Sequence, residues 1–423
     1  MRMRKKKVYA TLEIADQEIR LIVLEIFEGR NNVLRVERVN CSGVQNQKII
    51  DESAVVKAIQ EACKNAQSAL GFRIERVLLA IPSINVQRCS QKIHVQIPDG
   101  TKTIRLFHIQ QGFNKAVEKQ LSEEVVFVNV NQVSYIVNGE QTTKMPIGKE
   151  CDDFYMEVDL LYADKETMYA YARCVEQSNL QILDVCIDAY AIAQETGALI
   201  ADPSRPIVVV DLEQDHCTLA LFQHGRLLNT TTLEHGYKAF TEELQKKYHL
   251  SDAICYRLLQ NIFTDDQKEA SDVICYIEQK EDMRVEITLK ELAESCLSKI
   301  RLWISDINEA CAPIAGQSSQ SMRYVLTGQG ANIRVLSMMP SAFNASATVF
   351  EEQTIGARDG AFVCGLGMAY AWQYVNKIRH DDKISVNNNE LEASIDSINQ
   401  RARSGVDGGF TQKLKNAILT EKE

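Results

Sequence analysis

Hydrophobic and polar positions along the first part of the chain alternate in blocks that predict strands and helices in turn. Residues 8–14 and 19–27 read as a β-hairpin, and residues 33–39 continue it as a third strand. Asp51 then caps a predicted helix that runs to about Gly71, with an apolar face at helical spacing. The apolar run at 74–81 predicts a buried strand after this helix.

The same order of elements begins again at residue 207. An apolar run at 207–210 ends in Asp211, a second run at 219–222 reaches a tight turn, and a third strand spans 226–233. A mostly polar, helix-rich block follows at 241–310, and its best helix covers 289–308. A strand at 323–327 and an apolar helix at 361–378 complete the second part. The chain therefore reads as two domains with a shared plan.

A separate block lies between these two parts. Strands are predicted at 87–96, 125–137 and 152–162, with a helix at about 104–121 and another at 165–177. The mixture of strands and helices predicts a compact α+β insert at 83–164.

Composition limits the classes of function. At 423 residues the chain is long enough for two or three domains, and its formal charge of −10 argues against general nucleic-acid binding. Twelve scattered cysteines without a CxxC pair indicate buried, reduced thiols, and the seven histidines lack the spacing of metal ligands. The basic N-terminus is not followed by the apolar segment of a signal peptide, and no run is apolar enough to span a bilayer.

Short motifs in the insert and in both flanking parts of the chain carry a resemblance to a known family. The hairpin that ends its first strand in Asp211 resembles the phosphate-binding hairpin of actin-like proteins. Within the insert, a strand and an Asn-Gly turn precede Pro146-Ile147-Gly148 and Met156-Glu157-Val158. This order resembles the "VDG … PIGM … LEV" series of FtsA, a family of bacterial cell-division proteins. Further matches are Ser42-Gly43, Ile50-Asp51, Ile81-Pro82-Ser83 and Tyr324-Val325-Leu326-Thr327-Gly328.

The resemblance implies an α/β fold of the actin-like (ribonuclease H-like) type, with two domains, an FtsA-type α+β insert subdomain and a C-terminal amphipathic helix. Subdomain IA would comprise residues 1–82 and 165–206, and the insert subdomain IC residues 83–164. Subdomain IIA would comprise 207–240 and 311–378, and the helical subdomain IIB 241–310. A flexible linker at 379–407 and a membrane-targeting tail at 408–423 would follow.

By resemblance, three loops would hold Mg-ATP, and two of them lack the residues with which the family binds the phosphates. The first hairpin turn carries Glu13, Ala15, Asp16 and Glu18, where the family has a Gly-Thr pair and often a lysine. The second loop keeps Asp211, but it places Glu213, Gln214 and Asp215 over glycines and His216 over a threonine. The third loop retains its pattern, and the remaining residues of the set are Gly236, Gly328, Gln329 and Gly330.

These changes predict weak or lost ATP binding and no enzymatic activity. Each carboxylate at about 4–6 Å from a triphosphate would repel it by roughly 1 kcal/mol or more, and the added side chains block the close backbone approach. One alternative is that Asp16, Glu213 and Asp215 together bind a divalent ion. The other, which we favour, is that they are solvated acids lining an unused cleft, so no metal site is predicted.

The last residues predict a short amphipathic helix. Phe410, Leu414, Ala417 and Ile418 share one face at 100° per residue, and Lys413 and Lys415 flank it. In the FtsA family such a tail lies on the membrane, so the resemblance implies the same use on anionic lipid. The alternatives are a frayed terminus or a helix that docks on the body of the protein.

The resemblance implies a scaffold that tethers the tubulin-like protein FtsZ to the cytoplasmic face of the membrane at the division site. The FtsZ C-terminal peptide would dock on subdomain IIB near Lys299 and Arg301, although the sequence alone favours a solvated helix face as the explanation of these two residues. Self-association and contacts of the insert with other division proteins are also implied. The alternatives are a fully ATP-dependent, polymerising FtsA, a pilus-assembly clamp that binds a peptide, and a sugar or acetate kinase.

Overall fold

A computed structural model describes residues 7–27, 30–98, 100–200, 204–280, 283–315, 321–387, 389–391 and 393. Contacts divide the chain into two compact units. Unit 1 comprises residues 1–195, 353–358 and 364–423, and unit 2 comprises residues 196–352 and 359–363. The predicted tail at 408–423 lies outside the described residues.

Unit 1 contains eleven strands and five helices among its described residues. The strands are β1 (Lys7–Ala15), β2 (Glu18–Phe27), β3 (Arg30–Asn40), β4 (Val44–Gln45), β5 (Lys48–Ile49), β6 (Arg76–Ile81), β7 (Gln87–Gln96), β8 (Val125–Val137), β9 (Glu140–Thr142), β10 (Asp153–Asp164) and β11 (Gln181–Ile187). The helices are α1 (Glu52–Leu70), α2 (Leu106–Val117), α3 (Lys165–Gln177), α4 (Asp188–Glu195) and, after the second unit, α8 (Val363–Arg379, of which 364–379 belongs to unit 1).

The main sheet of unit 1 has the order β11-β6-β1-β2-β3. Strands β1, β2 and β3 are antiparallel neighbours, whereas β6 and β11 join β1 in parallel. Helix α1 packs on this sheet through the predicted apolar face, and it has the predicted ends: the side chain of Asp51 accepts hydrogen bonds from two amides of the first turn, and Gly71 adopts a left-handed conformation. The helix prediction for this segment is confirmed.

A second sheet of unit 1 is formed within residues 87–164, the segment in which the sequence predicts an insert. Its order is β7-β10-β8-β9, and α2 packs against β7 and β10. Helix α8 holds this sheet to the rest of the unit, because the Tyr374 hydroxyl accepts from the Val133 amide at 3.1 Å and the Gln110 side chain donates to the Ile378 carbonyl at 2.8 Å.

Unit 2 repeats the strand plan of unit 1. Its strands are β12 (Ile207–Leu212), β13 (Cys217–Gln223), β14 (Arg226–Leu233), β15 (Ile274–Lys280), β16 (Met283–Thr288), β17 (Arg323–Thr327) and β18 (Ser346–Val349), and its helices are α5 (Glu242–Tyr248), α6 (Asp252–Leu259) and α7 (Leu289–Ala315). The sheet order is β14-β13-β12-β17-β18, with two antiparallel pairings followed by two parallel ones. The shared plan that the sequence predicts is therefore present in both sheets.

The hairpin β15–β16 and the short strand β18 of unit 2 escaped the sequence prediction. The block at 241–310 is predicted to be mostly helical, but β15 and β16 form an antiparallel hairpin within it. A strand signal was available, because residues 283–288 alternate strictly between apolar and polar positions. Helix α7 follows the hairpin and extends beyond its predicted end at 308. No helix among the described residues is long and apolar enough to cross a bilayer.

The chain that follows α8 packs on unit 1, although the sequence predicts a flexible linker from residue 379. Ser385 is fully buried: its amide donates to the Val8 carbonyl at 3.0 Å, and its hydroxyl accepts from the Ala10 amide at 2.8 Å. Its carbonyl accepts from the amides of Glu75 and Arg76 at 2.8 and 3.0 Å. The polar composition of this segment therefore reflects hydrogen bonding to the ends of β1 and β6, and the linker prediction is wrong for residues 380–387.

We expect Ser385→Ala to destabilise the protein. The substitution leaves the buried Ala10 amide without its acceptor, which costs about 1–3 kcal/mol in free energy of unfolding. Urea unfolding of the full chain should show a lower midpoint. Ser68→Ala on the exposed side of α1 is the matched control and should leave the midpoint nearly unchanged. Equal midpoints for the two variants would mean that Ser385 contributes nothing to stability.

Candidate functional site

The loop after Asp211 in unit 2 is closed on itself by main-chain hydrogen bonds. The Glu213 amide donates to the His216 carbonyl at 3.0 Å, which makes a tight turn between β12 and β13. The Glu213 and Gln214 carbonyls accept from the Tyr237 and Lys238 amides, each at 3.0 Å. A Cβ atom on Gly236 would overlap both of these carbonyl oxygens, so glycine is required for the two segments to meet.

The Glu213 side chain accepts a hydrogen bond from a main-chain amide of the third loop, which begins at Gly328. Its Oε1 accepts a hydrogen bond from the Gln329 amide at 3.1 Å, and the residue is only 8% exposed. A carboxylate that accepts from a main-chain N–H makes a charge-assisted hydrogen bond, the same kind of contact that a phosphate oxygen would make there. Glu213 therefore acts as an internal ligand for the loop that begins at Gly328.

Aromatic residues hold the rest of Gln329. The Tyr237 hydroxyl lies 3.0 Å from Gln329 Oε1, and the Tyr256 hydroxyl donates to the Gln329 carbonyl at 3.0 Å. The two tyrosine rings are themselves in contact, with centroids 5.0 Å apart. Asn332 donates both to the Tyr256 hydroxyl and to Asp359, at 3.1 and 2.9 Å. Side chains of unit 2 thus satisfy the polar groups of this loop without a ligand.

A lysine faces two acids at the side of the loop. Lys238 Nζ lies 3.0 Å from Asp252 and 3.9 Å from Asp215, and the Gln214 side chain donates to Asp252 at 3.1 Å. Partial burial acts to lower the pKa of Lys238, but the hydrogen bond and charge of Asp252, helped by Asp215, outweigh it and raise the pKa. The lysine is therefore charged at neutral pH.

Gly328 allows the third loop to lie against Asp211. Its φ is +83°, and a Cβ atom there would overlap the Asp211 carboxylate and stand 2.7 Å from the Leu212 carbonyl oxygen. Gly330 has a comparable role, because a Cβ atom on it would overlap the Leu212 side chain. These two glycines, which the sequence assigns to a nucleotide, are required by contacts within unit 2.

The first hairpin belongs to unit 1, and its acids also have partners. Asp16 is 7% exposed, and its carboxylate accepts from the Gln47 amide at 2.9 Å. Glu13 pairs with the buried Arg20 at 3.0 Å, and Glu18 pairs with Arg20 at 2.5 Å.

Glu18 has a second basic partner, Arg38, at 2.7 Å. Burial acts to raise the pKa of Glu18, but the two guanidinium groups outweigh it and hold the pKa below its usual value. Glu18 therefore carries a negative charge that two arginines balance.

The interpretation as solvated acids is wrong for Asp16 and Glu213, which are buried and whose carboxylates accept from main-chain amides. The Asp215 side chain is partly exposed, at 26%. In the part of the chain that the structure describes, no group of three or more His, Cys, Asp or Glu side chains is placed to hold a metal ion. Ala15, at the end of β1, lies beside the Asp16-Gln17 turn, where Gln17 has a φ of +68°.

The predicted partner-binding residues lie on α7 and make contacts inside unit 2. Lys299 Nζ is 3.0 Å from Glu243, and Arg301 donates to the Asp265 carbonyl. The next residue, Leu302, is 60% exposed, whereas Trp303 is buried. The predicted membrane residues Phe410, Lys413, Leu414, Lys415, Ala417 and Ile418 lie outside the described residues.

Several residues that shape these loops were not predicted. They are Arg20, Arg38, Gln47, Lys238, Asp252, Tyr237, Tyr256 and Asn332. A signal was available for Arg20, since a two-residue turn at Asp16-Gln17 sets it directly opposite Glu13 on the neighbouring strand. No comparable signal existed for Asp252 and Tyr256, which reach the loops from distant positions in the sequence.

The comparisons with known proteins agree with this architecture. No family model matches the chain. Among curated proteins, FtsA of Bacillus subtilis is 23% identical over 378 residues, which cover 86% of this chain and 83% of that protein. FtsA of Enterococcus hirae is 20% identical over 411 residues, covering 95% and 91% of the two chains.

Solved structures are similar in fold. A chain of a PilM–PilN type IV pilus biogenesis complex has a TM-score of 0.55 at 13% identity and covers 86% of this chain and 97% of its own. MreB5 of Spiroplasma citri bound to ADP has a TM-score of 0.50 at 9% identity, covering 89% and 99%.

The repeated sheet and these likenesses define the protein as one with an actin-like α/β fold. Within that class, the FtsA proteins of Bacillus subtilis and Enterococcus hirae each match most of the chain. The chain is a distant relative of these cell-division proteins, and it carries the acids Asp16, Glu213 and Asp215 in its hairpin turns.

We expect Gly328→Ala to unfold unit 2 more readily even without nucleotide. The added Cβ atom meets the Asp211 carboxylate and the Leu212 main chain, and overpacking of this kind costs about 1–3 kcal/mol beyond the strain of a positive φ. Gly148→Ala is the matched control, since Gly148 has a φ of +88° and open space around its Cα atom. Thermal melts in nucleotide-free buffer should show a clearly larger fall in melting temperature for Gly328→Ala. Equal falls for the two variants would instead favour a role of Gly328 in ligand binding.

Proposed function

We propose that the protein is an FtsA-like division scaffold that tethers FtsZ to the cytoplasmic face of the membrane at the septum, and that it does so without binding ATP. The observation that carries the nucleotide-independent part is the Glu213 carboxylate on the Gln329 amide. The similarity of the chain to FtsA over most of its length supports the division role. The fold alone supports neither, because other actin-like proteins have different names and partners.

ATP would meet three separate costs at these loops. It would have to displace Glu213 from the Gln329 amide, break the tight turn at 213–216, and lie near carboxylates that already have partners. The Asp215 and Glu18 charges are largely balanced by Lys238 and two arginines, so occupation of the amides rather than bare repulsion opposes the phosphates. This argument favours a scaffold without ATPase activity over the ATP-dependent, polymerising alternative.

We expect isothermal titration with Mg-ATP to show no binding in the micromolar range. A micromolar dissociation constant corresponds to about −8 kcal/mol, and its detection would overturn the nucleotide-independent proposal. The reverse experiment replaces Glu213, Gln214 and Asp215 by glycine, together with Ala15→Gly and Asp16→Thr, and should create measurable affinity. A matched control carries Glu123→Gly and Asp272→Gly, two exposed positions in segments outside the three loops, and it should not bind.

The proposed docking surface for FtsZ is the outer part of α7 around Lys299, Arg301 and Leu302. Lys299 and Arg301 supply positive charge. The exposed Leu302, next to Arg301 in sequence, supplies an apolar contact. Lys299 must leave Glu243 to meet an acidic peptide, but an ion pair this exposed contributes only about 0–1 kcal/mol, so the exchange costs little.

The proposed membrane contact is the tail. Three large apolar side chains, Phe410, Leu414 and Ile418, could each contribute at most about 1.5–3 kcal/mol when buried, and ordering a short helix opposes this gain. A net few kcal/mol corresponds to a roughly millimolar constant, so one tail detaches readily. Stable attachment then requires several tails held together by self-association, and Lys413 and Lys415 add about 1 kcal/mol each on anionic lipid.

We expect the full chain to carry purified FtsZ into the pellet with anionic vesicles, increasingly as the protein concentration rises. A version ending at Asp407, and Phe410→Glu with Leu414→Glu, should leave both proteins in solution. Lys299→Glu with Arg301→Glu should pellet by itself but leave FtsZ behind, because the reversed charges repel an acidic peptide.

Two controls complete this vesicle experiment. Lys57→Glu with Lys64→Glu makes the same change in net charge at two exposed positions of α1 in unit 1 and should still recruit FtsZ. Vesicles without anionic lipid should pellet less protein. If the chain that ends at Asp407 still brings FtsZ to the vesicles, the tether proposal is wrong. If the Lys299 and Arg301 variant still does so, FtsZ docks elsewhere on the protein. If no version binds FtsZ, the peptide-binding pilus clamp becomes the better interpretation.

A further inference from the structure

The strand β16 of unit 2 lies at an open edge of its sheet. It pairs with β15 in a two-stranded antiparallel sheet, and in the described part of the chain β15 is its one strand partner. The main-chain groups along its other side point away from β15, and an open strand edge is a template for a further strand. An added strand would also stabilise a two-stranded sheet, which is marginal by itself.

Other edge strands carry features that oppose pairing with a second copy, and β16 does not share them. Bulges interrupt β14 at Leu228 and β15 at Cys275, and a bulge bends a strand edge. The edge strand β7 is regular, but it carries Arg88 and Lys92 on one face, so a second copy would add like charges there. Strand β16 runs over residues 283–288 without an extra residue.

The charges of β16 are complementary to a second copy of the same strand. Arg284 and Glu286 form an ion pair at 2.6 Å, with side chains that are 61% and 38% exposed, and Val285 between them is buried. When two copies run antiparallel around Val285, Arg284 of each copy stands directly opposite Glu286 of the other. The four charges then alternate in sign, and the buried side chains of both copies stay on one face of the sheet.

We propose that two copies of the chain associate through β16, antiparallel around Val285, so that their two hairpins form one four-stranded sheet. The contact is two-fold symmetric, and it therefore closes at two copies. Six residues of each copy take part, so the association is weak, reversible and dependent on protein concentration. It does not depend on the proposed role in division or on the state of the nucleotide loops.

Charge reversal tests this pairing, because each single change sets like charges opposite one another. Sedimentation velocity of the full chain over a range of concentrations should show a monomer–dimer equilibrium. Arg284→Glu alone, or Glu286→Arg alone, should raise the dissociation constant of the dimer at least about tenfold. The double variant Arg284→Glu with Glu286→Arg restores opposite charges and should dimerise like the parent. Lys92→Glu, at an exposed position of the edge strand β7, is the control for net charge and should also dimerise like the parent.

Mixing the two single variants separates the contact from any effect on folding. Arg284→Glu presents two acids and Glu286→Arg presents two bases, so each variant repels its own copy but matches the other. An equimolar mixture, with one variant labelled by a fluorophore at its N-terminus, should form heterodimers about as tightly as the parent forms homodimers. A parent that stays monomeric, single variants that dimerise like the parent, or a mixture without heterodimers would each overturn the proposal. Assemblies that grow beyond two copies and do not respond to either charge reversal would also overturn it, since another surface would then carry the self-association.

Discussion

One hydrogen bond joins the second and third loops of unit 2: the Glu213 carboxylate accepts from the Gln329 amide. An amide in a buried loop must find an acceptor, and in this chain the acceptor is covalently part of the same unit. The turn at 213–216, the tyrosines around Gln329 and the close approach of Gly328 to Asp211 are all compatible with this one contact. Groups of the chain itself thereby hold the loop that begins at Gly328.

Balanced charge is the second condition. Buried or half-buried acids are costly unless a cation or several donors face them, and each acidic substitution in these loops has acquired such a partner. Glu18 has two arginines, Asp215 has Lys238, and Asp16 has a main-chain amide. The acids of each unit therefore belong to an internal network whose members come from different sequence segments of that unit. This explains how glycines could be lost from the loops while the surrounding sheets kept their order.

The sequence predicted the sheets far better than the site. Strands such as β1 and β12 are apolar runs, so periodicity predicts them, and α1 followed from its caps and apolar face. The hairpin β15–β16 was missed although residues 283–288 alternate between apolar and polar positions, because the surrounding block reads as helix-rich. The partners of the loop acids were not visible in the sequence, because Asp252, Tyr256 and Gln47 come from distant segments. Pairing between distant polar residues leaves no periodic signal in a single sequence.

The burial of Ser385 has a mechanical consequence. Tension applied to the chain beyond residue 391 reaches Ser385 before it reaches the end of α8. There the load divides between β1, through Val8 and Ala10, and the start of β6, through Glu75 and Arg76. These two strands are neighbours inside a five-stranded sheet, where neighbouring strands share the strain. A pull from that end is therefore carried by the sheet as a whole, and α8 is spared from unravelling turn by turn.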